Sequence, residues 1–244
     1  MKVFDYITQG IGKGTMHMTL LDPAKQSPEE AAAIAKEAQD YGTDAIMVGG
    51  STDITQENLD ATVKAIKKVC SVPVIYFPSG AHAISRYTDA IYFMSMLNSR
   101  NVKMVVGEQV MGAPIVKALG LEPLSMGYII VAPGMKVGEV GQADPIPRDD
   151  LKLACAYALA AEYMGMRLVY MEAGSGAPEP VPIEMVSAVK KTISVPLIIG
   201  GGIRRPEQAA AIARAGADII VTGTIAEHDD LSALGSIIKA VKAR

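Results

Sequence analysis

Short apolar runs rich in β-branched residues recur along the chain, and stretches with helical spacing separate them. Such runs, bounded by glycine, proline or aspartate, are typical of buried strands. Their near-continuous apolar character predicts a parallel sheet covered by helices. The runs are HMTLL (17–21), DAIMVGG (44–50), VPVIYFPSG (72–80), AIYFMSML (90–97), GYIIVAPG (127–134), RLVYMEAG (167–174), VPLIIGGG (195–202) and DIIVTGT (218–224).

The segments between these runs carry helical patterns. Leu59, Val63 and Ile66 recur at spacings of four and three, which places them on one face of a helix. Ser27, followed by a proline and two glutamates, has the composition of a helix start. Alternating strand and helix units predict an α/β fold, the (β/α)₈ TIM barrel, rather than an open doubly wound sheet. At 244 residues we predict a single domain over 1–244.

Two segments depart from this alternation. Only about nine residues, AHAISRYTD, separate the third and fourth runs, which is too few for a crossover helix. We therefore expect a short or missing helix between strands 3 and 4, with one side of the barrel less covered. The segment from Gly134 to Asp150 is rich in glycine and proline, and it predicts a mobile loop at the barrel mouth.

Composition narrows the class of protein. Half of the residues are hydrophobic, 20% are charged, and the net charge of −3 comes without a long block of either sign, which argues against a nucleic-acid partner. Cys70 and Cys155 lie far apart, which favours neither a disulfide framework nor a zinc motif. Because no apolar signal region or long apolar run is seen, we expect a soluble, cytoplasmic protein.

Glycines follow the seventh and eighth strands, where barrels commonly hold a phosphate. Gly200, Gly201 and Gly202 end the seventh run, and Gly223 and Thr224 end the eighth. Glycine lets backbone N–H groups approach an anion closely, and a following helix N-terminus adds a favourable dipole. These glycines could instead form only tight turns, but their presence on two adjacent strands favours phosphate binding.

The sixth run ends in YMEAGSG, which combines an aromatic residue, a carboxylate and small residues. Tyr170 and Glu172 are two positions apart, so both side chains point towards the barrel cavity. A buried carboxylate needs a partner, either a cation, a hydrogen-bond donor or a reacting hydroxyl. The position of Glu172 at the carboxyl end of a strand favours a functional role over a structural salt bridge. Gly174, Ser175 and Gly176 extend the predicted phosphate site.

Asp22 ends the first strand, and the second ends in a polar tip, Gly49-Gly50-Ser51-Thr52. One carboxylate with one or two hydroxyls, substrate phosphates and water would suit Mg²⁺, which prefers oxygen ligands. The open alternative is a helix-entry turn at Asp22, with Ser51 or Thr52 as a helix N-cap. His17 fits a hydrogen-bonded core position better than a catalytic one. Metal-ligand spacing is absent from the three histidines, His17, His82 and His228.

Five segments carry a family resemblance: HMTLLDP (17–23), VGGS (48–51), YMEAGSGAPEPVP (170–182), IIGGGIR (198–204) and VTGT (221–224). In this order on a barrel, they resemble the geranylgeranylglyceryl phosphate synthase family, an archaeal and partly bacterial group of (β/α)₈ prenyltransferases. The match spans nearly the whole chain, and the family's shortage of helix between strands 3 and 4 agrees with the short connection. Members join the C3 hydroxyl of sn-glycerol 1-phosphate to an allylic prenyl diphosphate, such as geranylgeranyl diphosphate, with Mg²⁺ present. Diphosphate is released in this first ether-bond step of archaeal lipid synthesis.

The resemblance implies roles for individual residues. Asp22 and Ser51 would hold Mg²⁺ against the diphosphate. Glu172 would accept the proton of the attacking hydroxyl, and Tyr170 would position the glycerol and stabilise allylic positive charge. Lys13, just before the first strand, would pair with a phosphate or diphosphate, or would be an ordinary solvated lysine. The positions implied to bind glycerol 1-phosphate are Tyr170, Met171, Glu172, Ala173, Gly174, Ser175, Gly176, Gly201, Gly202, Gly223 and Thr224.

Several alternatives stay open. A bacterial-type relative would use a longer, heptaprenyl donor, and a barrel isomerase or synthase of amino-acid biosynthesis would use the same phosphate site. A barrel that only binds a phosphorylated ligand, or serves as a scaffold, would need neither Asp22 nor Glu172. We expect the prenyl chain to lie in an apolar groove on the poorly covered side after the third strand. The resemblance also suggests a homo-oligomer and a peripheral membrane contact for the lipid product.

Overall fold

The computed structural model describes residues 1–227 and 231–243, and within them parallel strands close into a barrel. The strands are β1 (Met16–Leu21), β2 (Ala45–Val48), β3 (Val74–Tyr76), β4 (Ala90–Met96), β5 (Glu122–Ile130), β6 (Leu168–Glu172), β7 (Leu197–Gly200) and β8 (Ile219–Thr222). Each strand pairs with the next in the chain, and β8 returns to β1 with Met16 opposite Ile219. The predicted (β/α)₈ barrel is confirmed.

Helices surround this barrel. The α-helices of the described ranges are α1 (Val3–Ile11), α2 (Pro28–Tyr41), α3 (Gln56–Val69), α4 (Glu108–Leu119), α5 (Met135–Val140), α6 (Leu151–Tyr163), α7 (Ile183–Thr192), α8 (Pro206–Ala215) and α9 (Ser232–Lys242). Ser27 caps α2 as predicted, since its side chain accepts the Glu30 amide and the Glu30 side chain accepts the Ser27 amide. No helix in the described part of the chain is both long and apolar enough to cross a membrane.

The connection between β3 and β4 is the gap in this outer layer. Residues 77–89, all of which the structure describes, contain no helix, as the short spacing predicts. A π-helical turn over Lys103–Gly107 leads directly into α4 on the next connection. Residues of this helical segment and of the 77–89 connection face each other across an apolar groove. The missing helix therefore leaves a groove beside the barrel wall.

The core has two layers, because alternate side chains of a strand point to opposite faces. Tyr170 packs inside the barrel, whereas Met171 of the same strand packs outside it, among residues of the surrounding helices. The interior also holds His17, whose ring forms hydrogen bonds with Thr43 and Thr222 at 2.9 and 3.0 Å. Burial, with a smaller effect of the Lys242 charge, lowers the pKa of His17 to about 3. His17 is thus a neutral core residue; His228 lies outside the described residues.

The segment from Gly134 to Asp150 differs from the loop that its composition predicts. It contains α5, and Ile146 pairs with Val131 in an isolated bridge. The Asn98 amide donates to the carbonyls of Ile130 and Asp144 at 2.8 Å each, which ties the segment to the end of β5. The segment therefore contains regular structure that the prediction of a loop did not include, but its predicted place at the barrel mouth is confirmed by Lys136, Val137 and Val140, which lie at that end. Its mobility stays a prediction.

Candidate active site

A cavity opens at the barrel mouth, where the carboxyl ends of the strands meet. It has a volume of about 290 Å³, and Asp22, Ser51 and Glu172 all line it. A smaller pocket lies beside it and is formed by the tips of β6, β7 and β8. Glu172 lines both spaces. The fold therefore brings the predicted metal residues and the predicted proton acceptor to one end of the barrel.

Glu172 is the ionisable group at the centre of this arrangement. Its side chain is only 6% exposed, and Oε1 accepts a hydrogen bond from the Gly174 amide at 2.7 Å. The Tyr170 and Tyr128 hydroxyls also donate to the carboxylate. Burial raises the pKa of Glu172 to about 7, against the opposing effect of these three hydrogen bonds. A carboxyl with a pKa near neutrality suits proton transfer.

The alternative that Glu172 forms a structural salt bridge is wrong within the part of the chain that the structure describes. Its partners there are one backbone amide and two tyrosine hydroxyls, and no lysine or arginine forms an ion pair with it. The carboxylate is thus held by neutral donors, which leaves its protonation state free to change.

Four aromatic rings, those of Phe77, Tyr92, Tyr128 and Tyr170, pack together as an aromatic wall that meets this carboxylate at Tyr128 and Tyr170. The Tyr128 and Tyr170 rings meet edge to face with centroids 5.2 Å apart, and Phe77 stacks on Tyr170 at 5.8 Å. Burial, together with the nearby Glu172 charge, raises the pKa of Tyr170 and of Tyr128 well above the usual value, so both hydroxyls remain protonated donors. Aromatic faces in this position can stabilise a positive charge.

Phe77 and Tyr128 were not identified from the sequence. A usable signal existed for Tyr128, because it lies opposite Tyr170 in the β5–β6 register and so points into the barrel from the neighbouring strand. A similar signal existed for Phe77, because it lies within the predicted third strand, two positions after Ile75, and so points to the same side, although β3 itself ends at Tyr76.

The smaller pocket has the features of a phosphate site. Ser175, Gly176, Gly201, Gly202, Gly223 and Thr224 line it. The Ser175 and Thr224 hydroxyls form a hydrogen bond of 2.9 Å that joins the tips of β6 and β8. A Cβ at Gly201 would overlap Glu172 Oε1 and lie 2.6 Å from the Gly174 nitrogen, and its φ of 81° also favours glycine. Gly201 therefore lets the pocket backbone pack directly against the carboxylate.

Two of the predicted substrate-binding positions turn their side chains away from this pocket. Met171 and Ala173 are fully buried in the layer between the barrel and its helices. This follows from strand alternation, because their neighbours Tyr170 and Glu172 point inward. Met171 and Ala173 can contribute to the site only through their backbone.

Asp22 and Ser51 lie at the neighbouring tips of β1 and β2. Asp22 Oδ1 accepts the Ala24 amide at 3.0 Å. A Cβ at Gly50 would overlap both carboxylate oxygens of Asp22, so glycine is required for the two tips to approach. A carboxylate and a hydroxyl on a polar cavity wall are hard oxygen donors, which fits Mg²⁺. The described residues contain no cluster of three or more His, Cys, Asp or Glu side chains that could hold a metal ion.

Lys13 does not belong to this site. It lies between α1 and β1, in a cavity with Tyr6, Asp44 and Lys242 at the amino-terminal end of the barrel. Parallel strands place everything that precedes a strand at the end opposite the mouth. The prediction that Lys13 contacts a substrate phosphate is therefore wrong. Basic side chains that do border the mouth cavity and the phosphate pocket are Lys25, Lys136 and Arg204.

The apolar groove beside the β3–β4 connection joins the mouth at Tyr128. Its walls are residues 78–81 on one side and Met104, Gly112 and Val116 on the other. Met94, Met96, Met104 and Tyr128 line both the groove and the mouth cavity, so the two spaces are continuous. The groove occupies the side on which the sequence predicts reduced helical cover.

Similarity to known proteins extends over nearly the whole chain. Residues 10–243 match the model of the PcrB family. A geranylgeranylglyceryl phosphate synthase of Thermococcus gammatolerans is 56% identical over 241 residues, which are 99% of this chain and 94% of that protein. One from Thermoplasma volcanium is 50% identical and covers 100% of this chain and 97% of its own length.

A solved structure shows the same fold. The crystal structure of (S)-3-O-geranylgeranylglyceryl phosphate synthase from Thermoplasma acidophilum, in complex with its substrate sn-glycerol-1-phosphate, superposes with a TM-score of 0.97. The two chains are 49% identical, and the superposition covers 100% of both.

Proposed function

The chain belongs to the PcrB family, and we propose that it is a prenyltransferase that joins the C3 hydroxyl of sn-glycerol 1-phosphate to geranylgeranyl diphosphate. The observation that carries this proposal is Glu172, a buried carboxylate held between a glycine-lined phosphate pocket and an aromatic wall. The apolar groove that leaves the same mouth has the chemistry of an isoprenoid site. Archaeal ether-lipid synthesis is the corresponding role.

In this reaction the phosphate pocket holds the acceptor so that its C3 hydroxyl reaches Glu172. The carboxylate takes the hydroxyl proton as the C3 oxygen forms a bond to C1 of the prenyl group. The bond between C1 and the diphosphate oxygen breaks, and diphosphate leaves with the electron pair. Positive charge that develops on the allylic carbons faces the rings of Tyr170, Tyr128 and Phe77. The proposal is supported by the common position of Glu172, the small pocket and the aromatic rings at one end of the barrel.

Mg²⁺ is the cofactor that we propose, with Asp22 and Ser51 as its protein ligands. When bound, the ion neutralises charge on the departing diphosphate. Lys25 and Lys136 border the same cavity and add positive charge near the diphosphate. The tail of the donor lies in the apolar groove between the 77–89 connection and α4.

The test is turnover by purified protein with Mg²⁺, sn-glycerol 1-phosphate and prenyl diphosphates of C15, C20 and C35. We expect the C20 donor to be preferred and sn-glycerol 3-phosphate to be a much poorer acceptor. A preference for C35 would instead indicate a heptaprenylglyceryl phosphate synthase. Absence of turnover with every donor would refute the proposed prenyltransferase activity and favour the alternative of a phosphate-binding barrel isomerase.

A cytoplasmic location, a homo-oligomeric state and a peripheral membrane contact remain predictions. An exposed apolar stripe along the π-helical turn and α4, formed by Val102, Val106, Val110 and Met111, is compatible with either kind of contact. Sedimentation of the pure protein with and without lipid vesicles measures both.

A further inference from the structure

The phosphate pocket has an unusual balance of charge. A glycerol phosphate would bring a dianionic group next to Glu172, which is itself an anion when it acts as a base. Most of the lining consists of backbone, apolar side chains and hydroxyls, which are neutral. Among the described residues that line this pocket, Arg204 is the only cation.

Arg204 is held at the pocket rim from two directions. Its backbone N–H donates to Gln208 Oε1 at 3.0 Å, which fixes the chain at the start of α8. Its guanidinium Nη2 donates to the carbonyl of Gly176 at 2.7 Å, which links the tip of β7 to the tip of β6. A guanidinium has five N–H donors in a planar fork, so this contact leaves donors available on an exposed side chain.

A purely structural role would be to tie two loops together. That role needs only one neutral donor, and it gives no reason for a charged side chain at the rim of an otherwise neutral anion pocket. Arginine suits such a position because its fork can contact a phosphate and a carbonyl at the same time.

We propose that the Arg204 guanidinium binds the phosphate group of the acceptor while it holds the Gly176 carbonyl, and so determines the preference for a phosphorylated acceptor. This inference deepens the proposed function and rests on it for the identity of the acceptor. Arg204 binds and orients substrate at the end remote from the reacting hydroxyl. Glu172 performs the proton transfer.

The experiment compares wild type with Arg204→Gln and Arg204→Lys, and uses Arg205→Gln as the matched control. Arg205 is also exposed and adjacent in sequence, but it lines a different cavity. Loss of a charge-assisted contact predicts that Arg204→Gln raises KM for glycerol 1-phosphate about 10- to 100-fold. KM for the prenyl diphosphate should change less than about threefold, Arg204→Lys should fall between, and Arg205→Gln should match wild type.

Two further measurements separate phosphate binding from loop anchoring. Inorganic phosphate should inhibit wild type competitively against the acceptor, and its inhibition constant should rise in Arg204→Gln in parallel with KM. Guanidinium ion added to Arg204→Ala should restore part of the acceptor affinity. An unchanged KM, or equal increases for both substrates without any change in phosphate inhibition, would overturn the proposal.

Failure of the proposed function is distinguishable from failure of this inference. If wild type shows no turnover with any prenyl diphosphate, calorimetric binding of inorganic phosphate to the wild-type and variant proteins still tests Arg204. Weaker phosphate binding only in the Arg204 variants supports the contact, whereas equal binding in all variants refutes it. Thermal melting of each variant shows whether the fold is intact.

Discussion

Replacement of Glu172 by glutamine tests the proposed chemistry most directly, because it removes one ionisable group and nearly preserves shape. The glutamine carbonyl can still accept the Gly174 amide, which contacts Oε1 at 2.7 Å. Its NH₂ group, however, would face donors, since the Tyr170 and Tyr128 hydroxyls both donate to the carboxylate. The substitution therefore removes the base and disturbs the tyrosine hydrogen bonds, while the phosphate pocket stays largely in place.

The expected magnitude follows from the position of Glu172. A positioned general base contributes about 10²- to 10⁴-fold to a rate, so kcat of Glu172→Gln should fall by that factor. KM for glycerol 1-phosphate should rise only a few-fold, because the phosphate contacts remain. With a pKa of about 7, Glu172 is protonated and inactive below neutrality, so kcat/KM of wild type should rise with pH through about 7. The variant should lose this dependence.

Glu172 also makes folding stability depend on pH, but stability should fall over the pH range in which activity rises. Burial raises the pKa of Glu172 from 4.5 to about 7, so the folded state binds the proton more tightly than the unfolded state. Its contribution is fully present below about pH 4.5 and is lost as the pH rises through 7, a change of about 3 kcal/mol. Glu172→Gln should lack this component, and denaturant unfolding at several pH values measures it.

The assay is steady-state formation of the prenyl ether with a radiolabelled acceptor, run with Glu179→Gln as the matched control. Glu179 lies exposed on the connection after β6, and it lines neither the mouth cavity nor the phosphate pocket. The control should retain wild-type kcat. If Glu172→Gln kept a kcat within about threefold of wild type, the proton-acceptor role would be wrong even if the family assignment stood.

Three further substitutions probe the residues around Glu172, the metal site and the groove. Gly201→Ala should abolish activity and lower the unfolding temperature, because the new Cβ overlaps the Glu172 carboxylate. The control Gly165→Ala has a similar φ of 79° but open space around the new Cβ, so it should lose only about 1 kcal/mol of stability. Equal losses in the two variants would contradict this prediction. Asp22→Asn should raise the Mg²⁺ concentration for half-maximal turnover at least about tenfold, and an unchanged Mg²⁺ titration would exclude Asp22 as a ligand. Gly112→Leu should slow turnover of the C20 donor more than that of a C10 donor, because the leucine side chain fills the apolar groove. The control Gly112→Ala adds a Cβ at ordinary contact distances and should behave as wild type.

Much of the fold is predictable from local patterns. The apolar runs correspond to the strands with shifts of a few residues at their ends, and the short 81–89 spacing correctly indicates a connection without a helix. These features depend on periodicity and chain length, which are properties of neighbouring residues. The inward direction of Tyr170 and Glu172 follows in the same way from the alternation of side chains along one strand.

The errors arise where contacts join distant parts of the chain. Lys13 carries a charge suited to a phosphate, but its place before β1 puts it at the wrong end of the barrel. The glycines and prolines after Gly134 suggested a loop, yet the segment contains α5, and the Asn98 amide and the Val131–Ile146 bridge join it to distant residues. Composition alone does not show which distant groups satisfy backbone hydrogen bonds.

The class of fold, the strand tips and the identity of the central carboxylate are predictable from the amino-acid sequence, because each depends on short-range order in the chain. Contacts between distant parts of the chain were needed to find the neutral donors that hold Glu172, the rings of Tyr128 and Phe77 near it, and the position of Arg204 in the lining of the small pocket. These contacts depend on closure of the barrel. It brings β1 beside β8 and places side chains from distant connections around one mouth.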